Sequence, residues 1–153
     1  MRAVLQRVRS AEVKVDGRVT GSVGQGLLVF LGVMETDTRT EAELMARKVA
    51  EIRIFEDENE KMNLSVRDVD GGVLAVSQFT LCADISHGRR PSFTPSAAPE
   101  AANELYEYFC DCLQVNGVGI IEKGVFGADM AVSLLNDGPV TIVMDTDIWQ
   151  KKR

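Results

Sequence analysis

The sequence has few of the side chains with which enzymes usually activate a nucleophile. It contains one histidine, His87, in 153 residues, whereas Ser, Cys and Thr nucleophiles mostly rely on a neighbouring histidine as the base. His87 stands in a polar segment without an obvious carboxylate to orient it, and we interpret it as a solvated side chain. If the protein is an enzyme, its catalytic power has to come from backbone dipoles, from shape or from a group on the substrate.

Signatures of metal and cofactor binding are also missing. A zinc site needs a group of His and Cys ligands, and the spacing of Cys110 and Cys112 does not fit one. The chain has no Gly-x-x-x-x-Gly-Lys loop and no dinucleotide-binding fingerprint. The segment Gly24-Gln25-Gly26 lacks a third glycine and precedes a β run, so we interpret it as a turn. The sequence therefore predicts neither a metal nor a cofactor.

Long hydrophobic runs are absent as well. A membrane-spanning helix needs about 20 apolar residues, and the longest run here, residues 27–34, is interrupted by Gly32. The N-terminus meets charge again at Arg7, too early for the apolar region of a signal peptide. The three cysteines are expected to be reduced thiols, because structural disulfides are rare in the cytosol. We therefore expect a cytoplasmic protein without membrane contact.

The charge balance limits how the protein can use nucleic acid. A formal net charge of −6 argues against a protein that coats a nucleic acid backbone, because such binding relies on Lys and Arg at the phosphates. Contact with one end of a nucleic acid remains compatible with this charge. Basic residues cluster at Arg89-Arg90 and at Lys151-Lys152-Arg153, and we interpret the second cluster as a solvated tail.

The first third of the chain has the pattern of antiparallel strands. Asp16-Gly17 stands between two runs of alternating valines, which is a strong signal for a two-residue hairpin. Residues 27–33 are apolar on both faces, so we place this strand centrally in a sheet. The sequence further predicts strands at residues 52–55, 73–81, 119–125, 131–135 and 140–145.

Two helices are predicted from their start signals and apolar stripes. Thr40 and Glu43 have the spacing of a capping box at the start of the first helix. Pro99 suits the first turn of the second helix, which is expected to end at Asn116-Gly117. The pattern indicates an α+β fold of largely antiparallel β-sheets with the two main helices packed on one side. We expect one domain over residues 1–153.

Two segments invite functional interpretation. The first is Ser77-Gln78-Phe79-Thr80-Leu81. In one interpretation it continues an edge strand with exposed polar residues, and Ser77, Phe79 and Leu81 share one face. In the other, the chain leaves the sheet at this segment. Leaving the sheet would free backbone N–H groups, which stabilise an oxyanion by roughly 3–4 kcal/mol each. Thr80 is a candidate nucleophile, but no base is visible beside it.

The second segment is Asn136-Asp137-Gly138-Pro139-Val140-Thr141, which separates two β runs. Proline cannot donate to a sheet ladder, so it belongs at a turn, an edge or a bulge. One interpretation is a plain hairpin turn. The other is a rigid backbone element, with a cis Gly138–Pro139 bond, that rejects a substrate by steric clash because it cannot relax as a side chain does.

These residues resemble the D-aminoacyl-tRNA deacylases, formerly called D-tyrosyl-tRNA deacylases. The resemblance runs from Met1 to about Val143, and both signatures, residues 77–81 and the Asn-x-Gly-Pro-x-Thr pattern from Asn136 to Thr141, are intact and in the expected order. Further matching segments are Gln6-Arg7-Val8, Gly26-Leu27-Leu28-Val29, Lys61-Met62-Asn63-Leu64 and Arg90-Pro91-Ser92-Phe93.

The resemblance implies a homodimer with its active site at the subunit interface and aminoacyl-tRNA, through its 3′ end, as the partner. In such proteins the equivalent of Gly138-Pro139 is cis and enters the partner's pocket. Its carbonyls fill the space that the side chain of an L-amino acid needs, so D-amino acids and achiral glycine fit. Arg7 corresponds to the arginine that braces this element; from Gln6-Arg7 alone it would be a surface-strand arginine.

The resemblance also assigns roles within the pocket. The backbone N–H groups of Phe79 and Thr80 are expected to form the oxyanion site, while Ser77 and Gln78 shape the pocket. Phe126 and Met130 match a segment near the bound amino acid, although both also suit an apolar core.

The implied mechanism needs no basic side chain. The 2′-hydroxyl of the terminal adenosine helps to activate the attacking water, and Thr80 then has a structural or hydrogen-bonding role. Arg89-Arg90 is the candidate for meeting acceptor-stem phosphates.

Two other functions stay open from the sequence. One is a related editing module of different specificity, such as removal of L-serine or chiefly of glycine from tRNA. The other is a non-enzymatic dimeric β-rich module that binds tRNA.

Overall fold

The computed structural model describes residues 1–150, and for Gln150 only the backbone. The basic cluster predicted at residues 151–153 lies outside these described residues. Within them the chain forms eight strands and three α-helices. The strands are β1 (Arg2–Val15), β2 (Arg18–Val23), β3 (Gly26–Gly32), β4 (Phe55–Glu56), β5 (Met62–Leu64), β6 (Gly72–Ser77), β7 (Ile120–Lys123) and β8 (Ala131–Asp145). The helices are α1 (Arg39–Glu51), α2 (Pro99–Val115) and α3 (Thr146–Gln150).

The main sheet is mixed, which corrects the prediction of largely antiparallel sheets. Its order is β2-β1-β3-β6-β7, and β8 lies outside this path and pairs with β1. Strand β1 is antiparallel to β2, β3 and β8, but β3 is parallel to β6 and β6 is parallel to β7. Parallel neighbours need long crossovers, usually through a helix, and α1 and α2 supply them.

The predicted hairpin and central strand are confirmed. Asp16 and Gly17 both have positive φ, 51° and 78°, as the two-residue turn between β1 and β2 requires. Strand β3 lies between β1 and β6 and is buried along almost all of its length. Its alternate residues enter two different apolar cores. Leu27 and Leu31 belong to the core that α1 and α2 cover, here called the helix-covered core, and Leu28 belongs to the core on the opposite face of the sheet.

Both long helices cover one face of the sheet, as predicted. The helix-covered core contains Met45 and Val49 of α1 together with Tyr106, Phe109 and Leu113 of α2. The smaller core on the other face lies inside the curve of the sheet, where β2 approaches β7. None of the helices in the described residues is long and apolar enough to cross a membrane.

The start of α1 differs by two residues from the prediction. Thr38, not Thr40, is the N-cap, and the capping box pairs it with Glu41 rather than Glu43. The two pairs have the same spacing, and the sequence pattern alone does not separate them. Helix α2 begins with Pro99 in its first turn and ends at Asn116 and Gly117, as predicted.

Four predicted strands differ clearly in their bounds. The strand predicted at residues 52–55 is reduced to β4, because Ile52 caps the end of α1. The strand predicted at residues 73–81 ends at Ser77 and is followed by a 3-10 helix, Phe79–Cys82. The two runs at 131–135 and 140–145 form one strand, β8, so the interpretation of the intervening residues as a plain hairpin turn is wrong.

The corrected cap position gives a stability prediction. Thr38→Ala removes the hydroxyl that accepts from the Thr40 N–H and donates to the Glu41 carboxylate, so the free energy of unfolding should fall by about 1 kcal/mol. The matched variant Thr40→Ala changes an exposed helical residue and should stay within about 0.5 kcal/mol of wild type. Urea unfolding measures both; an equal loss in the two variants would contradict the assignment of the cap.

Candidate active site

The turn after β6 presents backbone N–H groups that the sheet does not use. The Gln78 N–H still donates to the Leu31 carbonyl at 2.8 Å, and the chain then enters the 3-10 helix Phe79–Cys82. The first N–H groups of a helix have no acceptor within it. Among the described residues no backbone acceptor is recorded for the N–H groups of Phe79 and Thr80. The chain therefore leaves the sheet here, as one of the two interpretations proposed.

Three contacts fix this turn against the end of β3. A Cβ at Gly32 would lie 2.9 Å from Leu81 Cβ and 3.1 Å from the Gln78 carbonyl oxygen, so only glycine allows this approach. The Arg2 guanidinium donates to the Leu81 carbonyl at 2.9 Å. The Cys82 thiol donates to the Val33 carbonyl at 3.4 Å, and burial raises the pKa of this thiol. These contacts hold the turn at its start, at Gln78, and at its end, at Leu81 and Cys82.

The side chains of the turn do not follow strand alternation. The predicted shared face of Ser77, Phe79 and Leu81 is wrong because the last two residues lie in the 3-10 helix. The Gln78 side-chain amide donates to the Thr80 hydroxyl, and this pair is exposed. His87 is also exposed. No described hydrogen bond joins Thr80 to a basic side chain.

A mainly apolar cavity of about 630 Å³ opens beside the turn. It brings together five of the predicted residues: Ser77, Gln78, Phe79, Phe126 and Met130. The complete lining is Leu31, Val33, Val76, Ser77, Gln78, Phe79, Phe93, Ser96, Ala97, Ala98, Pro99, Ala102, Tyr106, Phe126, Gly127, Ala128, Met130 and Val132.

Phe126 and Met130 are both pocket residues and core residues. Phe126 lines the cavity and also packs against the helix-covered core, with its ring centroid 6.2 Å from that of Tyr106. Met130 lines the cavity and packs against the opposite core.

Sequence reasoning missed the part of the pocket that comes from the long loop and from α2. Phe93 packs edge-to-face on Phe79 with ring centroids 5.0 Å apart. Tyr106 closes the inner side, and its hydroxyl donates to the Ala75 carbonyl at 2.7 Å. Burial raises the pKa of Tyr106 well above its ordinary value, which keeps the phenol protonated as a donor. Phe93 stands in one of the segments that match the family, Arg90-Pro91-Ser92-Phe93, but the sequence pattern assigned neither Phe93 nor Tyr106 to the pocket.

A second cluster surrounds the Asn136–Thr141 segment. The Arg7 side chain is 5% exposed, so the interpretation as a surface-strand arginine is wrong. Its guanidinium donates to the Ile54 carbonyl at 2.7 Å and to the Asp137 carbonyl at 3.1 Å, and it lies 3.5 Å from the Asp137 carboxylate. Arg7 therefore connects the middle of the sheet with the predicted motif.

The motif forms a wide bulge in β8. Asn136 pairs with Val8 and Thr141 pairs with Gln6, so residues 137–140 lie opposite the single residue Arg7. The Asn136 side-chain amide donates to the Arg7 and Val140 carbonyls, each at 3.0 Å, and closes the bulge.

The tip of the bulge is exposed. The Gly138–Pro139 bond is cis, and both residues are accessible to solvent. The Thr141 hydroxyl accepts from the Gln6 side-chain amide at 3.2 Å at the edge of the bulge.

Within one chain the two clusters are separate. Arg7 pairs with Leu27 of β3, whereas Ser77 pairs with Leu31 of the same strand. Four residues along a strand correspond to about 13 Å, and neither Gly138 nor Pro139 lines the cavity. The bulge of one chain thus does not fill its own pocket.

Comparison with known proteins supplies the relatives of this chain. Residues 4–145 match the family described as D-Tyr-tRNA(Tyr) deacylase. A curated D-aminoacyl-tRNA deacylase from Koribacter versatilis (strain Ellin345) is 58% identical over 146 residues, which cover 95% of this chain and 97% of the relative.

Two solved structures share the fold. The c-Myc DNA unwinding element binding protein is 41% identical, has a TM-score of 0.90 and is matched over 95% of this chain and 98% of its own. A probable eukaryotic D-amino acid tRNA deacylase has a TM-score of 0.80 at 18% identity, over 94% of this chain and 98% of its own, and shows the fold alone. From the family match and the curated relative, this chain belongs to the D-Tyr-tRNA(Tyr) deacylase family.

Proposed function

We propose that the protein hydrolyses the ester bond of D-aminoacyl-tRNA in the cytoplasm and releases the free D-amino acid and tRNA. Besides family membership, one observation supports this most: the N–H groups of Phe79 and Thr80, for which no backbone acceptor is recorded within residues 1–150, lie beside a mainly apolar cavity whose described lining contains no basic side chain. Such a site can hold an ester and stabilise the negative charge that develops on its carbonyl oxygen.

We assign the pocket residues the roles that the resemblance implies. The N–H groups of Phe79 and Thr80 form the oxyanion site, and removing one such donor from an enzyme typically costs about 3–4 kcal/mol of transition-state stabilisation. Ser77 and Gln78 shape the polar end of the cavity. Phe126 and Met130 contact the amino acid on its apolar side.

The substrate supplies the group that the protein lacks. The 2′-hydroxyl of the terminal adenosine assists a water molecule that attacks the ester carbonyl, so a bond from the water oxygen to carbon forms. The bond from carbon to the ribose oxygen then breaks, and that oxygen takes up a proton. The protein contributes by holding water, ester and hydroxyl in a reactive arrangement.

Discrimination between D- and L-amino acids is assigned to the bulge of a second copy. Gly138 and Pro139 of one protomer enter the cavity of its partner, and the backbone, held by Asn136 and Arg7, occupies the space of an L side chain. Glycine has no side chain to reject and is expected to be a substrate as well.

The exposed side of β8 supports the homodimer. Within residues 1–150 this strand pairs only with β1, and it carries exposed Leu135 and Val143, which are 55% and 76% accessible. A long edge strand with exposed apolar side chains is a surface that proteins normally cover.

Hydrolysis of matched substrates tests the function. We expect D-tyrosyl-tRNA and glycyl-tRNA to be cleaved and L-tyrosyl-tRNA to be spared, because the bulge excludes only the L side chain. A D-tyrosyl-tRNA that ends in 2′-deoxyadenosine should react at least about 100-fold more slowly, the typical contribution of acid–base assistance. Binding of all the substrates without release of amino acid would instead support the non-enzymatic tRNA-binding module.

A glycine substitution tests whether the turn carries the oxyanion site. Gly32→Ala places a methyl group against Leu81 and the Gln78 carbonyl, so the turn must shift and kcat should fall by at least about 100-fold. Gly24→Ala is the matched control, because a Cβ there meets nothing within 4 Å.

Thr80→Ala keeps the backbone of the turn and should retain substantial hydrolysis. Loss of all activity in this variant, together with an acyl-enzyme trapped on the wild-type protein, would show that Thr80 is the nucleophile.

A comparison of Arg7 with Arg9 tests whether the buried arginine, and not charge at the surface, holds the bulge in place. Arg7→Lys loses the fork that reaches the buried Ile54 carbonyl and the partly buried Asp137 carbonyl, so the free energy of unfolding should fall by about 1–3 kcal/mol and the D-to-L rate ratio should drop. Arg9→Lys is the matched control, because Arg9 is 72% exposed and also contacts Asp137. If both variants behave alike in unfolding and in discrimination, Arg7 does not brace the bulge.

A further inference from the structure

The long loop before α2 contains an exposed segment with a fixed base. Asp84 and Ser92 exchange two backbone hydrogen bonds, of 2.7 and 2.9 Å, and so close a small hairpin. A second bridge joins Met34 to Ser96 beyond it. Between the closing residues, every residue of the segment 85–91, here called the basic loop, is exposed.

The basic loop has a charge opposite to that of the whole chain. It carries Arg89 and Arg90 in a protein whose formal net charge is −6. Asp84 is the one acidic residue between positions 83 and 98, and its carboxylate accepts hydrogen bonds from the N–H and hydroxyl of Ser86 at the base of the hairpin. None of the ion pairs recorded among the described residues involves either arginine. Both guanidinium groups are therefore available to an anionic partner.

The basic loop is also close to the mouth of the cavity. Phe93 follows the closing residue Ser92, lines the cavity and packs on Phe79. Arg90 precedes Phe93 by three residues, which places the two Cα atoms at most about 11 Å apart. A chain of phosphates that leaves the cavity on this side would pass the two arginines within its first few nucleotides.

We infer that the basic loop binds the phosphates of the unpaired 3′ end of the tRNA, and not those of the paired acceptor stem. This inference rests on the proposed function, because it requires the terminal adenosine to lie at the cavity. It also explains how an acidic protein holds a nucleic acid, because two local charges meet the phosphates next to the reacting ester.

Neutralisation of the loop, measured on two substrates, tests this contact. The variant Arg89→Gln/Arg90→Gln is compared with wild type on D-tyrosyl-tRNA and on the tetranucleotide ACCA that carries the same D-tyrosyl ester. We expect kcat/KM to fall about tenfold or more on both substrates at 50 mM salt, with kcat at saturation unchanged. The dependence of log kcat/KM on log salt should flatten by about 1.4, because each single-strand phosphate contact contributes about 0.7.

The control removes the same two charges elsewhere. Arg47 and Lys48 are an adjacent, exposed basic pair on α1, a helix that lines no part of the cavity. Arg47→Gln/Lys48→Gln should therefore leave kcat/KM within about twofold of wild type.

Each other outcome has a distinct meaning. A loss confined to full-length tRNA would place the contact on the stem and overturn the inference. Equal kcat/KM in the loop variant and the control, or a loss that persists unchanged at high salt, would also overturn it. If the wild-type protein cleaves neither substrate, the proposed function fails, and the salt-dependent affinity of the variants for uncharged tRNA still tests the phosphate contact.

Discussion

The close approach of the turn after β6 to Gly32 is the constraint on which the pocket depends. The absence of a side chain at this position lets Leu81 and the Gln78 carbonyl lie against the end of β3. This contact directs the chain away from the sheet and leaves the N–H groups of Phe79 and Thr80 without backbone acceptors among the described residues. A site made from main-chain groups needs such support, because its geometry is set by packing and not by side-chain rotamers.

The buried guanidinium of Arg7 plays the corresponding part for the bulge. It spans from the Ile54 carbonyl to the Asp137 carbonyl, while the Asn136 amide closes the bulge from the other side. A buried charge is tolerated when it is paired and hydrogen-bonded, and Arg7 has both kinds of partner. The molecule thus holds two stiff pieces of backbone, one beside a cavity and one projecting from an edge strand, and it keeps them apart within one chain.

Sequence reasoning succeeded where a local pattern determines the structure. The hairpin at Asp16-Gly17 depends on residues that accept positive φ. The central position of β3 depends on apolar residues on both of its faces, and the start of α2 at Pro99 depends on the missing N–H of proline. It failed where tertiary contacts choose between similar local options. Thr38 and Thr40 both have a glutamate three residues later, and the end of β6 at Ser77 depends on packing against β3. The parallel pairing of β3 with β6 follows from the path of the crossover, which strand periodicity does not encode.

Subunit mixing tests most directly whether two copies build one active site. Gly32→Ala damages the pocket turn and should remove most hydrolysis at its own pocket, whereas Arg7→Lys damages the bulge and should relax the rejection of L-tyrosyl-tRNA. In a mixed dimer the intact pocket of the Arg7→Lys chain faces the intact bulge of the Gly32→Ala chain. About half of the dimers in a re-associated equal mixture are mixed, so hydrolysis of L-tyrosyl-tRNA should fall to about a quarter of that of the Arg7→Lys dimer. Hydrolysis of L-tyrosyl-tRNA equal to the mean of the two separate variants, about one half, would contradict a shared site.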